Sequence, residues 1–302
     1  DLPQTVAVPY FKVADKPFAL AGPAFDRDGY LLFVDIYGGR VLRLSPQREL
    51  ATVFAEPGLN PAGIAVHRDG RIFVAACGAR NARGHFDAGT VIALSADGSD
   101  RHTVLAPSAG YVPNDLVFDA HGGFYFTDLG KARAADMDMG AVYYGPADGS
   151  AARVVARPLL TPNGVGLSPD GQTLYYAETA GARLWAYDIT APGQVHKDGW
   201  PSPNGGRMVT ASPGGHLQRF DSLAVDAFGN VCVATLMHGG ISVISPDGSL
   251  VSHVPLPDKF TTNLCFGGKD RRTAYVTLSG SDGSVPSELN ELPPSVDTAC
   301  RR

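Results

Sequence analysis

Short apolar runs closed by polar turns recur in phase along the chain. Gly63-Ile64-Ala65-Val66-His67-Arg68-Asp69-Gly70 has counterparts in Asp115-Leu116-Val117-Phe118-Asp119-Ala120-His121-Gly122, in Gly164 to Gly171 and in Ser222 to Gly229. Gly22 to Gly29 precedes them, and Asn263 to Asp270 follows. Each run predicts a strand, and its Gly or Asp a tight turn. A second strand comes directly after, at Leu31 to Ile36, Arg71 to Ala76, Gly123 to Asp128, Thr173 to Glu178, Asn230 to Thr235 and Thr273 to Leu278. A third is legible in most units, as at Arg40 to Leu44 or Thr90 to Leu94. No segment keeps a helical apolar period with caps, so helix should be scarce. Units about 40 to 58 residues apart, each a meander of about four antiparallel strands, predict an all-β, six-bladed β-propeller around a central channel. Two stacked sandwiches compete with this arrangement, and the common phase of the units argues against them.

Closing such a ring requires the first residues of the chain to complete the last blade, and Thr5 to Val13 suits that role. Residues 1–302 then read as a single propeller domain. Ser281 to Arg302, rich in Ser, Pro and charge, reads as a C-terminal tail in a loop or extended wrap.

Composition fits such a fold, since 44% hydrophobic residues over 302 positions leave ample core and 36 Gly with 23 Pro imply many turns. A net charge of −5 without any block of like charges gives no electrostatic footprint for nucleic acid. No apolar run approaches the roughly 18 residues of a bilayer span, so no membrane is expected as a partner. The start lacks a basic stretch followed by an apolar one, which points to the cytoplasm; a processed periplasmic or secreted chain would begin alike. Cys77, Cys232, Cys265 and Cys300 are too dispersed for a zinc pattern, and Cys232 and Cys265 read as buried free thiols.

If each first strand begins at the upper mouth of the channel, the residue leading each unit points at the axis. Those residues are Ala21, Ala62, Asn114, Asn163, Asp221 and Thr262. Asn114, Asn163 and Asp221 make an all-oxygen set suited to a hard divalent cation. The competing reading is that Asn and Asp start strands simply by satisfying turn backbone. Loops after the second strands frame the same mouth and carry Tyr37, His85, Asp87, Asp136, Asp138, Glu178, Met237 and His238.

At these residues the chain resembles the gluconolactonase and senescence-marker-protein (regucalcin) family of six-bladed propellers, most of all its drug-responsive lactonase branch. The matching text includes Gly22-Pro23 with Phe33-Val34-Asp35-Ile36, Pro113-Asn114-Asp115 with Phe124-Tyr125-Phe126-Thr127-Asp128, and Pro162-Asn163-Gly164 with Ser168-Pro169-Asp170-Gly171. Asp221-Ser222 with Ala224-Val225-Asp226 extends it, as does Thr262-Asn263 with Ala274-Tyr275-Val276-Thr277. The resemblance implies a divalent cation held by a Glu, two Asn-type positions and an Asp. Asn114, Asn163 and Asp221 match the last three, and Ser222 matches a further ligand position of the lactonase branch. The Glu should precede Gly22-Pro23, where this chain has Ala21. A second, structural calcium of that branch lacks support, because its aspartate position corresponds to Ala106.

These expectations combine into a hydrolase that opens a small-molecule lactone. The cation, calcium first with magnesium, manganese or zinc as alternatives, would polarise the ring carbonyl and lower the pKa of a bound water. Asp221 would be both ligand and general base. Tyr111, Met237, His238 and Glu178 would contact the substrate. Ala21 leaves one obvious carboxylate in the ring, which weakens cation binding. It opens three alternatives: no bound cation; a metal-independent isomerase or lyase using Asp221 with His85 or His238; and a non-catalytic small-molecule-binding propeller. Lack of a GxSxG elbow disfavours a serine hydrolase.

Overall fold

In the computed structural model, residues 6–16, 18–81, 86–87, 89–212, 215–280 and 286–293 are described. Six antiparallel sheets surround one axis. Blade I comprises β2 (Leu20–Phe25), β3 (Leu31–Asp35), β4 (Arg40–Leu44) and β5 (Leu50–Ala55). Blade II comprises β6 (Pro61–Val66), β7 (Ile72–Ala76), β8 (Thr90–Leu94) and β9 (Arg101–Leu105). Blade III has β10 (Pro113–Phe118), β11 (Gly123–Asp128), β12 (Gly140–Pro146) and β13 (Arg153–Leu159). Blade IV has β14 (Pro162–Leu167), β15 (Thr173–Glu178), β16 (Arg183–Ala191) and β18 (Arg207–Ala211), with a short β17 (Gln194–Val195) paired to the far end of β16. The stretch from Thr190 to Phe220 therefore supplies that blade's outer strand, β18. Blade V has β19 (Arg219–Val225), β20 (Val231–Leu236), β21 (Gly240–Ile244) and β22 (Val251–Pro255). A 3-10 turn lies at Pro107–Ala109, before β10.

The last blade, blade VI, joins both ends of the described chain. β23 (Thr261–Gly267) and β24 (Thr273–Leu278) are followed by β25 (Ser287–Leu292), and β1 (Val8–Ala14) pairs outside β25. The N-terminal closing strand was expected. The strand at Ser287–Leu292 corrects the reading of Ser281 to Arg302 as loop or wrap. Its apolar residues are Leu289 and Leu292 alone, one on each face, and the polar residues around them hide the pattern. Ser287 is nevertheless buried, with Oγ 2.7 Å from the Ser279 carbonyl oxygen and accepting the Phe18 N–H at 2.6 Å. Residues 281–285 and 294–302 of the expected tail lie outside the described residues.

Burial falls from the axis outward. The second strands are buried along nearly their whole length, as in β3 and β7, whereas the outermost strands such as β5 are largely exposed. Alternation along a strand explains this, because successive side chains leave opposite faces of the sheet. Leu32 and Val34 enter the cluster shared with Ile64, Ile72 and Val74 of blade II, while Leu31 and Phe33 enter the cluster shared with Tyr275 and Leu289 of blade VI. Each blade thus buries two faces against two neighbours, and the core is six inter-blade layers arranged as a ring.

Candidate active site at the channel mouth

All six first strands are irregular where the ring residues lie. Pairing with the second strand slips between Ala21 and Ala24, Pro61 and Gly63, Pro113 and Leu116, Pro162 and Val165, Phe220 and Leu223, and Thr261 and Asn263. A bulge takes a residue out of the ladder and re-aims its side chain. Neighbouring first strands then approach backbone to backbone, which explains the recurrent Gly after the ring position. A Cβ on Gly63 would lie 2.6 Å from the Asn114 carbonyl oxygen, and one on Gly164 2.6 Å from the Leu223 nitrogen.

Asn163 and Ser222 are buried, at 6% and 4% exposure, and Ser222 Oγ stands 3.4 Å from Asn163 Oδ1, positioned to donate. Asn114 and Asp221 are half-buried. Burial raises the Asp221 carboxyl to about 7; a hydrogen bond from Asn163 opposes the shift and the charge of Asp115 adds to it. Asp115 is also raised to about 7 by burial, against hydrogen bonds from the Leu116 and Val165 N–H groups (2.9 and 3.4 Å) and from Ser222. Asp115 and Asn263 bring polar groups to a channel cavity of about 250 Å³ past the ring, walled otherwise by residues such as Ile64, Val165 and Leu223. A larger cleft of about 350 Å³ lies between blades III and IV at Asp119, Tyr125, Asp170 and Pro192, and no ring residue lines it.

The other half of the ring offers no donors. Ala21 is buried with Leu32, Val34 and Ile64, and Ala62 with Cys77 and Val112. Thr262 Oγ1 is engaged by the Leu20 carbonyl and by Thr277 Oγ1 at 2.7 Å. Asn114, Asn163, Asp221 and Ser222 present only oxygen, and Asp221 has no cationic partner among the described residues. That donor set fits a hard divalent cation. It is weakly anionic, since among the described residues no three His, Cys, Asp or Glu side chains converge.

Several loop residues are spent elsewhere. Glu178 is buried, accepts a hydrogen bond from Trp185 Nε1 at 3.0 Å, and lies 3.5 Å from Arg183 Nε. Blade I repeats this clasp with Asp35 and Arg40, 2.6 Å apart. Asp87 pairs with Lys131 at 2.7 Å, and Asp136 and Asp138 both pair with Arg133. Tyr111 is half-buried with its ring against Phe126 and Tyr143. Met237 is partly exposed in a left-handed turn. The His238 ring stacks on His253 (centroids 4.0 Å) and lies against His216 (4.7 Å), leaving its buried Nδ1 without a hydrogen bond. Asp128 accepts the N–H groups of Val112 and Gly130 (3.0 and 3.1 Å), anchoring the strand that carries Asn114. His85 lies outside the described residues.

Asp115 went unnoticed in the sequence although its signal was present, a carboxylate where three other units have Gly. Cys77 also belongs to the mouth. Its Sγ lies 3.4 Å from the Pro113 carbonyl oxygen, and burial pushes the thiol up to about 12 despite a hydrogen bond with Asn114. Cys77, Cys232 and Cys265 are all free thiols.

The family described as the SMP-30/Gluconolactonase/LRE-like region matches residues 21–280. The chain belongs to this family. A lactonase drp35 of Staphylococcus saprophyticus is 31% identical over 261 residues, covering 85% of this chain and 76% of that protein. The gluconolactonase XC5397 of Xanthomonas campestris superposes with a TM-score of 0.72 at 25% identity, covering 93% of this chain and 88% of its own. A calcium-binding regucalcin of Agrobacterium tumefaciens shares the fold, with a TM-score of 0.76 at 19% identity over 97% of this chain and 99% of its own. Among the described residues no helix is long and apolar enough to cross a membrane.

Proposed function

We propose that this protein hydrolyses a lactone with a divalent cation, calcium foremost, at the channel mouth. The observation that carries the reading is the cluster of Asn114, Asn163, Asp221 and Ser222 at four bulged strand positions in a chain of this family. When bound, the cation polarises the lactone carbonyl and acidifies a water. Asn114, Asn163, Asp221 and Ser222 would hold it. Asp221 takes the proton of the attacking water on its carboxylate and returns it to the ring oxygen as the ester bond breaks. Asn163, steadied by Ser222, fixes the orientation of that carboxylate. Tyr111 and Met237 shield the reacting ester from bulk water, with His238 at the rim. Glu178 acts indirectly, by stiffening the turn of blade IV.

The metal-free alternative pairs Asp221 with His85, which lies outside the described residues, or with His238. The His238 imidazole is stacked with His216 and His253, which weighs against the second of these pairings. The test is hydrolysis of a lactone panel by chelated and calcium-reloaded protein, with metal content measured. Turnover that survives both chelation and Asp221→Asn would refute the proposal.

A further inference from the structure

The ring is one-sided, with oxygen donors on blades III to V and methyl groups, Ala21 and Ala62, on blades I and II. Beside that apolar side stands Arg80, on the loop after β7. Its guanidinium carbon lies 4.6 Å from the ring centroid of Phe86 and 5.3 Å from that of Tyr37, which belongs to the β3–β4 turn of blade I. The side chain therefore straddles the seam between the two blades. Arg80 follows Cys77 by three residues, and the Cys77 Sγ lies 3.4 Å from the Pro113 carbonyl oxygen in the strand that carries Asn114.

The other described Lys and Arg side chains of the two long mouth loops are paired with carboxylates. Lys131 pairs with Asp87 at 2.7 Å, and Arg133 with Asp136 and Asp138 at 2.5 and 2.8 Å. Among the described residues no carboxylate pairs with Arg80. Aromatic rings against a guanidinium hold it through its faces and leave the in-plane N–H fork free. That fork matches a carboxylate in two parallel hydrogen bonds. A glutamate at position 21 would place a competing negative charge on the same side of the mouth, and Ala21 removes it.

From this geometry we infer that Arg80 is a preformed receptor for a substrate carboxylate, and that the preferred substrates are lactones carrying a free carboxylate in addition to the cyclic ester. The inference rests on the lactonase reading for its reaction, but not for its binding step.

The experiment compares D-glucaro-1,4-lactone, which carries a carboxylate, with the neutral D-glucono-1,4-lactone, in the wild type, Arg80→Gln and Arg80→Lys. A second arm measures calorimetric binding of the open-chain dianion D-glucarate against the monoanion D-gluconate. Arg80→Gln should lower the charged-to-neutral ratio of kcat/KM by about 10- to 100-fold, mainly through KM, with Arg80→Lys between. D-Glucarate should lose its advantage over D-gluconate in the same variant. Lactone turnover with an unchanged ratio overturns the receptor and leaves the lactonase reading intact. No turnover, with D-glucarate binding still dependent on Arg80, overturns the lactonase reading and keeps the receptor. Binding indifferent to Arg80 in the absence of turnover overturns both.

Discussion

Ser222 Oγ lies 3.4 Å from Asn163 Oδ1, so a hydroxyl of blade V is aimed at the amide of blade IV that meets Asp221. The contact crosses an inter-blade seam and involves two side chains that are nearly inaccessible to water. Ser222→Ala should leave the fold intact and weaken calcium binding by about 10-fold, the usual effect of removing a group that orients or supplements metal ligands. Calorimetry on metal-depleted protein measures it. An unchanged dissociation constant would remove Ser222 from the site.

Ala21→Glu introduces the carboxylate that the family resemblance implies at this position. Hard-cation affinity follows the number of charged ligands, so calcium should bind at least about 10-fold tighter. Because Ala21 is packed among Leu32, Val34 and Ile64, a larger side chain also costs stability. Ala21→Gln, of similar size and no charge, separates the two effects. Equal affinity in the Glu and Gln variants would show that position 21 does not face the cation.

Gly63→Ala tests the close approach that sets the ring. Its new methyl would lie 2.6 Å from the Asn114 carbonyl oxygen and 2.9 Å from Asp115 Oδ1. Overpacking of this kind costs about 1–3 kcal/mol, and here it also displaces Asn114, so calcium affinity should fall with the melting temperature. Gly145→Ala is the control, because its nearest neighbour would be 3.6 Å away. A Gly63→Ala protein as stable and as tightly calcium-binding as the Gly145→Ala protein would contradict the backbone argument.

Sequence periodicity carried the blades almost residue by residue: Thr173 to Glu178, Gly123 to Asp128 and Arg40 to Leu44 are strands with the expected bounds. These second and third strands are buried on both faces and therefore read as clear apolar runs. Ser287–Leu292 escaped because four of its six residues are polar and their partners, such as Phe18, lie at the opposite end of the chain. The ring positions were legible because repetition puts them in phase. What each loop residue touches was not, since contacts such as Arg80 with Tyr37 or Lys131 with Asp87 join different loops. Glu178 and Asp35 show the limit well. Local sequence offers two acids at the mouth, and the fold turns both onto an arginine that begins the next strand.

Glu178 also makes stability depend on pH in a direction that can be worked out. Burial raises its carboxyl above the ordinary 4.5, and the Trp185 hydrogen bond and the Arg183 charge offset this only in part. The folded state then holds the proton more tightly than the unfolded chain does. The stabilisation from that proton is full below the unfolded value and is lost as pH rises through the raised one. Glu178→Gln keeps an acceptor for Trp185 Nε1 while removing the titration and the buried charge. Melting temperatures of the wild type and Glu178→Gln, taken from pH 4 to 8 and subtracted, isolate this group from every other carboxyl. The difference should turn progressively in favour of the variant as pH rises through the raised value, then level off. A flat difference, or one that favours the wild type increasingly at neutral pH, would mean that the Arg183 pairing outweighs the cost of burying Glu178 as an anion.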